Sequence, residues 1–159
     1  MRDSLRTGIT FGLTSAVITT LGLMVGLNAG TRSKLVVLGG VLTIAIADAF
    51  SDALGIHVSE EAENVHTHRQ VWGATLATFF AKACFALTFA LPVLWLPLET
   101  AIIVSVVWGF LVLSVLSYFM ARAQQRRAWR IIGEHVLIAA LVVVVTYWVG
   151  EWVGSFTGS

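Results

Sequence analysis

Five apolar stretches set the terms on which this chain can fold. They run from about Thr7 to Leu27, Leu35 to Gly55, Trp72 to Leu96, Leu98 to Ala121 and Ile131 to Val153. At about 1.5 Å of rise per residue, each is long enough to cross a hydrocarbon core roughly 30 Å thick. Lipid offers no partner to open backbone N–H and C=O groups, so spans of this length must be helical. The expected fold is therefore an all-α membrane protein with five transmembrane helices. The spans use most of the 159 residues, which makes residues 1–159 a single domain. Composition agrees: 57% of the residues are hydrophobic, 12% are charged and the mean hydropathy is +0.86. Soluble domains carry about twice that share of charge. Disordered chains, nucleic-acid binders and ordinary water-soluble enzymes are excluded on this ground, and the lipid bilayer is the first partner. One cysteine, Cys84, precludes an intrachain disulfide and a cysteine-based zinc site.

Basic residues choose the sides. Arg2, Arg6, Arg69, Arg122, Arg126, Arg127 and Arg130 fall on the N-terminal side of the spans, against Arg32 and Lys34 on the other. This asymmetry puts the N-terminus in the cytoplasm. Five being odd, it puts the C-terminus outside the cytoplasm. Trp95, Trp129, Trp148 and Trp152 lie near span ends, as interfacial belt residues do. The Arg-flanked first span is too long for a signal peptide and lacks a clear small-x-small cleavage site, so it is read as a helix of the mature protein.

The first span carries Gly8, Gly12, Ser15, Thr19, Gly22 and Gly26 at spacings of 4, 3, 4, 3 and 4, which gather on one helix face. Gly22, Gly26 and Gly30 form a double close-packing motif, and Gly150 with Gly154 a lone second one. Such a face serves either packing within the protomer or a seam at a homodimer axis or permeation path. Five helices are few to enclose a polar pathway, so a homodimer is expected, with Ser15, Thr19, Gly22 and Lys82 on the path.

Asp48, Asp52 and Lys82 are the informative charges inside the spans. On insertion scales each costs about 2.5–3.5 kcal/mol near the bilayer centre. Four residues apart, Asp48 and Asp52 share one face of the second helix, together with Ala45, Gly55 and Ser59. Stacked carboxylates repel, and a cation relieves the repulsion. That cation is a metal ion, a proton or Lys82 itself; the bland alternative is a structural ion pair between Lys82 and one Asp. Carboxylate oxygens suit hard divalent cations, and Fe²⁺ when imidazole or water joins them. A second candidate metal cluster is His57, Glu60, Glu61, Asn64 and His68, which line one face if the second helix continues past the membrane. Its alternative is a solvated acidic helix end. Glu134 and His135, near the start of the fifth span, are weaker candidates. No nucleophile constellation, phosphate loop or haem motif is present, so the chain is not read as an enzyme.

The run from Gly12 through Ser15 and Thr19 to Gly22 resembles the first-helix signature of the vacuolar iron transporter family. The run Ala47-Asp48-Ala49-Phe50-Ser51-Asp52-Ala53-Leu54-Gly55, with Ser59 beyond it, resembles the second-helix signature. The motifs cover about residues 11 to 59, and the five-span topology covers the chain. The resemblance implies a homodimer with a metal path between protomers, exporting Fe²⁺ or Mn²⁺ from the cytoplasm in exchange for protons. It makes the divalent metal a substrate, with no permanently bound cofactor, and gives Asp48 the role of the family's second-helix Asp. Three departures stand out. Thr14-Ser15-Ala16 replaces the family's Asn-Asp-Gly, Asp52 replaces a Met, and Ile56-His57 replaces Glu-Tyr. The Glu-rich domain of longer members is also missing between the second and third spans. A carboxylate is thus lost at Ser15 and gained at Asp52, which makes the site harder. Lys82 has no counterpart in the pattern. Held as a fixed ammonium it would compete with a metal; with a labile proton it would supply the one exchanged. The alternative function is a structural or regulatory membrane protein that keeps the fold and has lost transport.

Overall fold

The computed structural model describes the backbone of residues 2–157 and the side chains of residues 4–156, so Arg2's part in the charge asymmetry lies outside the described residues. Six helices follow one another: α1 (Arg2–Thr31), α2 (Lys34–Ala62), α3 (His68–Thr88), α4 (Ala90–Trp95), α5 (Leu98–Ala123) and α6 (Ala128–Thr157). No strand occurs among the described residues. Five segments are long and apolar enough to span a membrane: Ser4–Thr31, Lys34–Ala62, His68–Trp95, Leu98–Ala123 and Ala128–Phe156. These are the five expected spans, each prolonged at one or both ends. The expected ends marked where hydropathy falls, whereas the backbone keeps its i to i−4 bonds into the interfacial zone.

Short connections fix the helix ends. Ser33 caps α2 by accepting from the Val36 amide at 3.4 Å. Thr67 and Gln70 form a capping box at the start of α3. The turns that lead out of α1, α2 and α5 use left-handed residues: Arg32 (φ 46), Asn64 (φ 53) and Gln125 (φ 54).

The third span departs from expectation, being broken at Phe89 rather than continuous from Trp72 to Leu96. Pro92 has no N–H to give to the Thr88 carbonyl, and its ring crowds that turn. The chain answers with a tightened bond from the Phe89 amide to Ala86 O at 3.1 Å before α4 starts. Phe89 is buried at the break and joins the main core with Val17, Leu21, Met24, Val37 and Leu113. Elsewhere the large apolar side chains point outward, among them Ile46, Phe50, Phe80, Leu137 and Trp148. That is the distribution expected where the surroundings are lipid.

α1 is the hub, packed against α2, α3, α5 and α6. Its small-residue face packs within the chain and is shared between two neighbouring helices. A Cβ on Gly8 would fall 2.3 Å from Ala74 O, and one on Gly12 would fall 2.7 Å from Thr78 O, so this half lies on the α3 backbone. The other half meets α6. A Cβ on Gly22 would strike Val142, and one on Gly150 would fall 2.2 Å from Gly26 O. Gly30 lies against Gly150 and Gly154 in the same seam. The lone Gly150/Gly154 motif is therefore the partner of the first-span motif. Gly22, expected on a transport path, lies against Val142 and Thr146 of α6.

Candidate cation site

Three helices bring four polar side chains to one point. Gly12 lets the α3 backbone close on α1, with Lys82 N only 3.3 Å from where a Gly12 Cβ would sit. From there the Lys82 side chain passes Ser15 of α1 and reaches the acidic face of α2. Its Nζ donates to Ser15 Oγ at 2.9 Å and to Asp52 Oδ2. Asp48 Oδ2 lies 2.5 Å from the same nitrogen, an ion pair outside hydrogen-bond alignment. Lys82 is 1% exposed, and the Asp48 and Asp52 side chains are 27% and 19% exposed. The ammonium is thus sealed in while both carboxylates keep an open edge. The ion pair read as joining Lys82 to one Asp in fact joins it to both.

Formal charges make the point: two carboxylates and one ammonium leave a single negative charge between three helices. A pair alone would have balanced. Asp48 opens onto a groove of about 740 Å³ between α1 and α2, whose walls include Thr19, Thr43, Ala47 and Ser51. Thr19 donates to Ser15 O at 2.8 Å and Thr43 to Gly39 O at 2.8 Å. Their protons are committed to the helix backbone, so the oxygens of Thr19 and Thr43 are left with lone pairs. Of the expected path residues, Ser15 and Lys82 are at the site and Thr19 lines the groove beside it.

The second expected cluster is not gathered. α2 stops at Ala62, Asn64 turns the chain, and His68 opens the next helix, so no continuous face carries all five residues. His57 Nδ1 instead meets Thr75 Oγ1 at 2.9 Å, with its ring edge-on to Trp72. Thr75 gives its own proton to Val71 O, so His57 Nδ1 is the donor of that bond. Glu60, mostly buried, faces His66 at 3.2 Å. Glu61 is exposed, and His68 approaches only the Trp72 ring. Among the described residues, no three His, Cys, Asp or Glu side chains stand close enough together to hold a metal ion by themselves.

One arrangement escaped the sequence reading. Ser117 gives its proton to Leu113 O at 2.6 Å and accepts from His135 Nδ1 at 2.7 Å, joining α5 to α6. Seventeen residues, the turn among them, separate the two partners, so no spacing rule links them.

No family model matches the chain, and no curated protein matches it significantly.

Proposed function

We propose that this protein moves a divalent metal cation, Fe²⁺ or Mn²⁺, out of the cytoplasm in exchange for protons. Asp48 and Asp52 bind the cation, and Lys82 is the resident positive group that the cation must displace from them. The N-terminus faces the cytoplasm in this reading, as the arginine asymmetry favours. A second copy laid over the α1–α2 groove encloses the path, with Thr19 and Ser51 along its wall.

The observation that carries the reading is the sharing of one ammonium by two carboxylates. A protein that needed only rigidity at this depth would do better with apolar side chains, and a single pair would already be neutral. Here a second acid is kept despite like-charge repulsion, with its open edge on a groove. Intramembrane acids in such places commonly serve ions or protons.

The test is metal-dependent quenching of a dye trapped in proteoliposomes, with and without a pH gradient. Asp48→Asn and Asp52→Asn should each lower Mn²⁺ flux at least about tenfold, the effect of losing about 1.4 kcal/mol or more of binding. His57→Ala, Glu61→Gln and His68→Ala should leave flux within about twofold, because their side chains do not converge on one ion. Wild-type flux in both Asp variants would refute the assignment.

A specific observation favours a second reading, in which transport has been lost and the triad is a lock. Lys82 already occupies the space between the acids, and Ser15 stands where the resemblance leads one to expect a carboxylate. Calorimetry on detergent-purified protein separates the two. Heat with Mn²⁺ or Fe²⁺ that vanishes in Asp48→Asn supports transport, and silence with Fe²⁺, Mn²⁺, Zn²⁺ and Mg²⁺ supports the lock.

A further inference from the structure

The turn between α5 and α6 is built from backbone bonds, with the amides of Gln124, Gln125 and Arg126 returning to Met120, Arg122 and Ala121 O at 3.0 to 3.3 Å. Gln125 takes the left-handed conformation that makes this closure possible. The Arg130 amide then bonds Arg127 O at 3.2 Å as α6 begins. From this fixed turn, Arg126, Arg127 and Arg130 converge on one hollow of about 330 Å³, completed by Gln125, Ile131 and Glu134. Among the described residues none of the three guanidinium groups forms an ion pair; the ion pairs lie elsewhere. Glu134 is exposed, so the hollow carries three positive charges against one negative.

Its depth is fixed by its neighbours. Arg130 stands over the ring of Trp129, which is 67% exposed, and Arg122 over Tyr118. Two apolar spans end here, and indole rings settle at the headgroup level. A hollow with three guanidinium donors at that level meets phosphate before any other anion, and guanidinium forks match phosphate oxygens.

We propose that Arg126, Arg127 and Arg130 form a binding site for the phosphate of an anionic phospholipid headgroup. The net charge of +2 suits a phosphate monoester, or two neighbouring phosphodiesters, better than a single phosphodiester. Gln125 supplies a neutral donor, and Glu134 lowers the net charge of the hollow to +2, which weakens its hold on phosphate. This site stands apart from Asp48 and Asp52 and does not depend on what they carry.

The test is native mass spectrometry of the purified protein with phosphatidic acid, a doubly charged diphosphatidyl lipid, phosphatidylglycerol, phosphatidylcholine or inorganic phosphate. Retention of the first two, with weaker phosphatidylglycerol and negligible phosphatidylcholine, is expected. Each Arg→Gln change should weaken retention about fivefold, and Arg126→Gln/Arg127→Gln/Arg130→Gln together about a hundredfold. Glu134→Gln should tighten it; this gain does not depend on a variant that risks misfolding. Arg69→Gln, which removes the same charge elsewhere, should change nothing. Equal retention by wild type and the triple variant, or indifference to lipid class, would overturn the proposal. Inorganic phosphate binding as tightly as phosphatidic acid would overturn the lipid as its source.

Discussion

Lys82→Met should destabilise the folded protein by about 3–5 kcal/mol, because it leaves two half-buried carboxylates with no cation between them. Methionine nearly keeps the volume, so the loss isolates charge from packing. In a chain of this size the melting midpoint in detergent should fall by about 10 °C or more. Two additions make the result diagnostic. Removing the acids as well, in Lys82→Met/Asp48→Asn/Asp52→Asn, should recover most of the loss, since no buried charge is then unpaired. Adding Mn²⁺ to Lys82→Met should also recover stability, growing with the logarithm of metal concentration above Kd, if the acids accept a free cation in place of the tethered one. Recovery in the triple variant without recovery by metal would leave the lock and remove the transporter. A melting point unchanged by Lys82→Met would show that the triad holds nothing together.

Gly150→Ala should cost about 1–3 kcal/mol, a large effect for one methyl group. The new Cβ would fall 2.2 Å from Gly26 O and 2.9 Å from Ala29 Cβ. The first of these is backbone, so no rotamer relieves it and α6 must move away from α1. Gly8→Ala should cost as much on the α3 side, where the obstacle is Ala74 O at 2.3 Å. Gly39→Ala and Gly133→Ala, where a Cβ meets nothing within 4 Å, serve as controls and should be neutral or slightly stabilising. Thermal melts of the four variants check the contrast. Equal melting points would mean that the seam tolerates separation.

The five spans were legible because one physical demand, apolar length, fixes them. What each face touches was less so. Gly8 to Gly26 do lie on one face, yet that face divides between α3 and α6, because neighbouring helices cross and diverge along it. Spacing reports a face and says nothing of how many neighbours share it. The break at Phe89 had a visible cause in Pro92, which a hydropathy window passes over. At the candidate site, the four-residue spacing of Asp48 and Asp52 located the acids, and the cost of a lone charge marked Lys82 as needing a partner. That one ammonium would serve both acids depends on the α1–α3 approach at Gly12, a distance no spacing supplies. The acidic cluster beyond the second span failed for a simpler reason. It required the helix to run on to His68, and the helix ends at Ala62.

The seam between α1 and α6 has a consequence for how the protein is made. Half of α1's apolar window is buried inside the protein, against 11% for α6. α1, made before its α6 partner, is thus the span most dependent on company, and its Gly22–Gly30 stretch finds that company only when α6 arrives. Until then a nascent chain holds a bare backbone ridge in the bilayer, open to a stray helix or to membrane proteases. Chains stopped before Ala128 should therefore be short-lived in the cell even though four of their five spans are present.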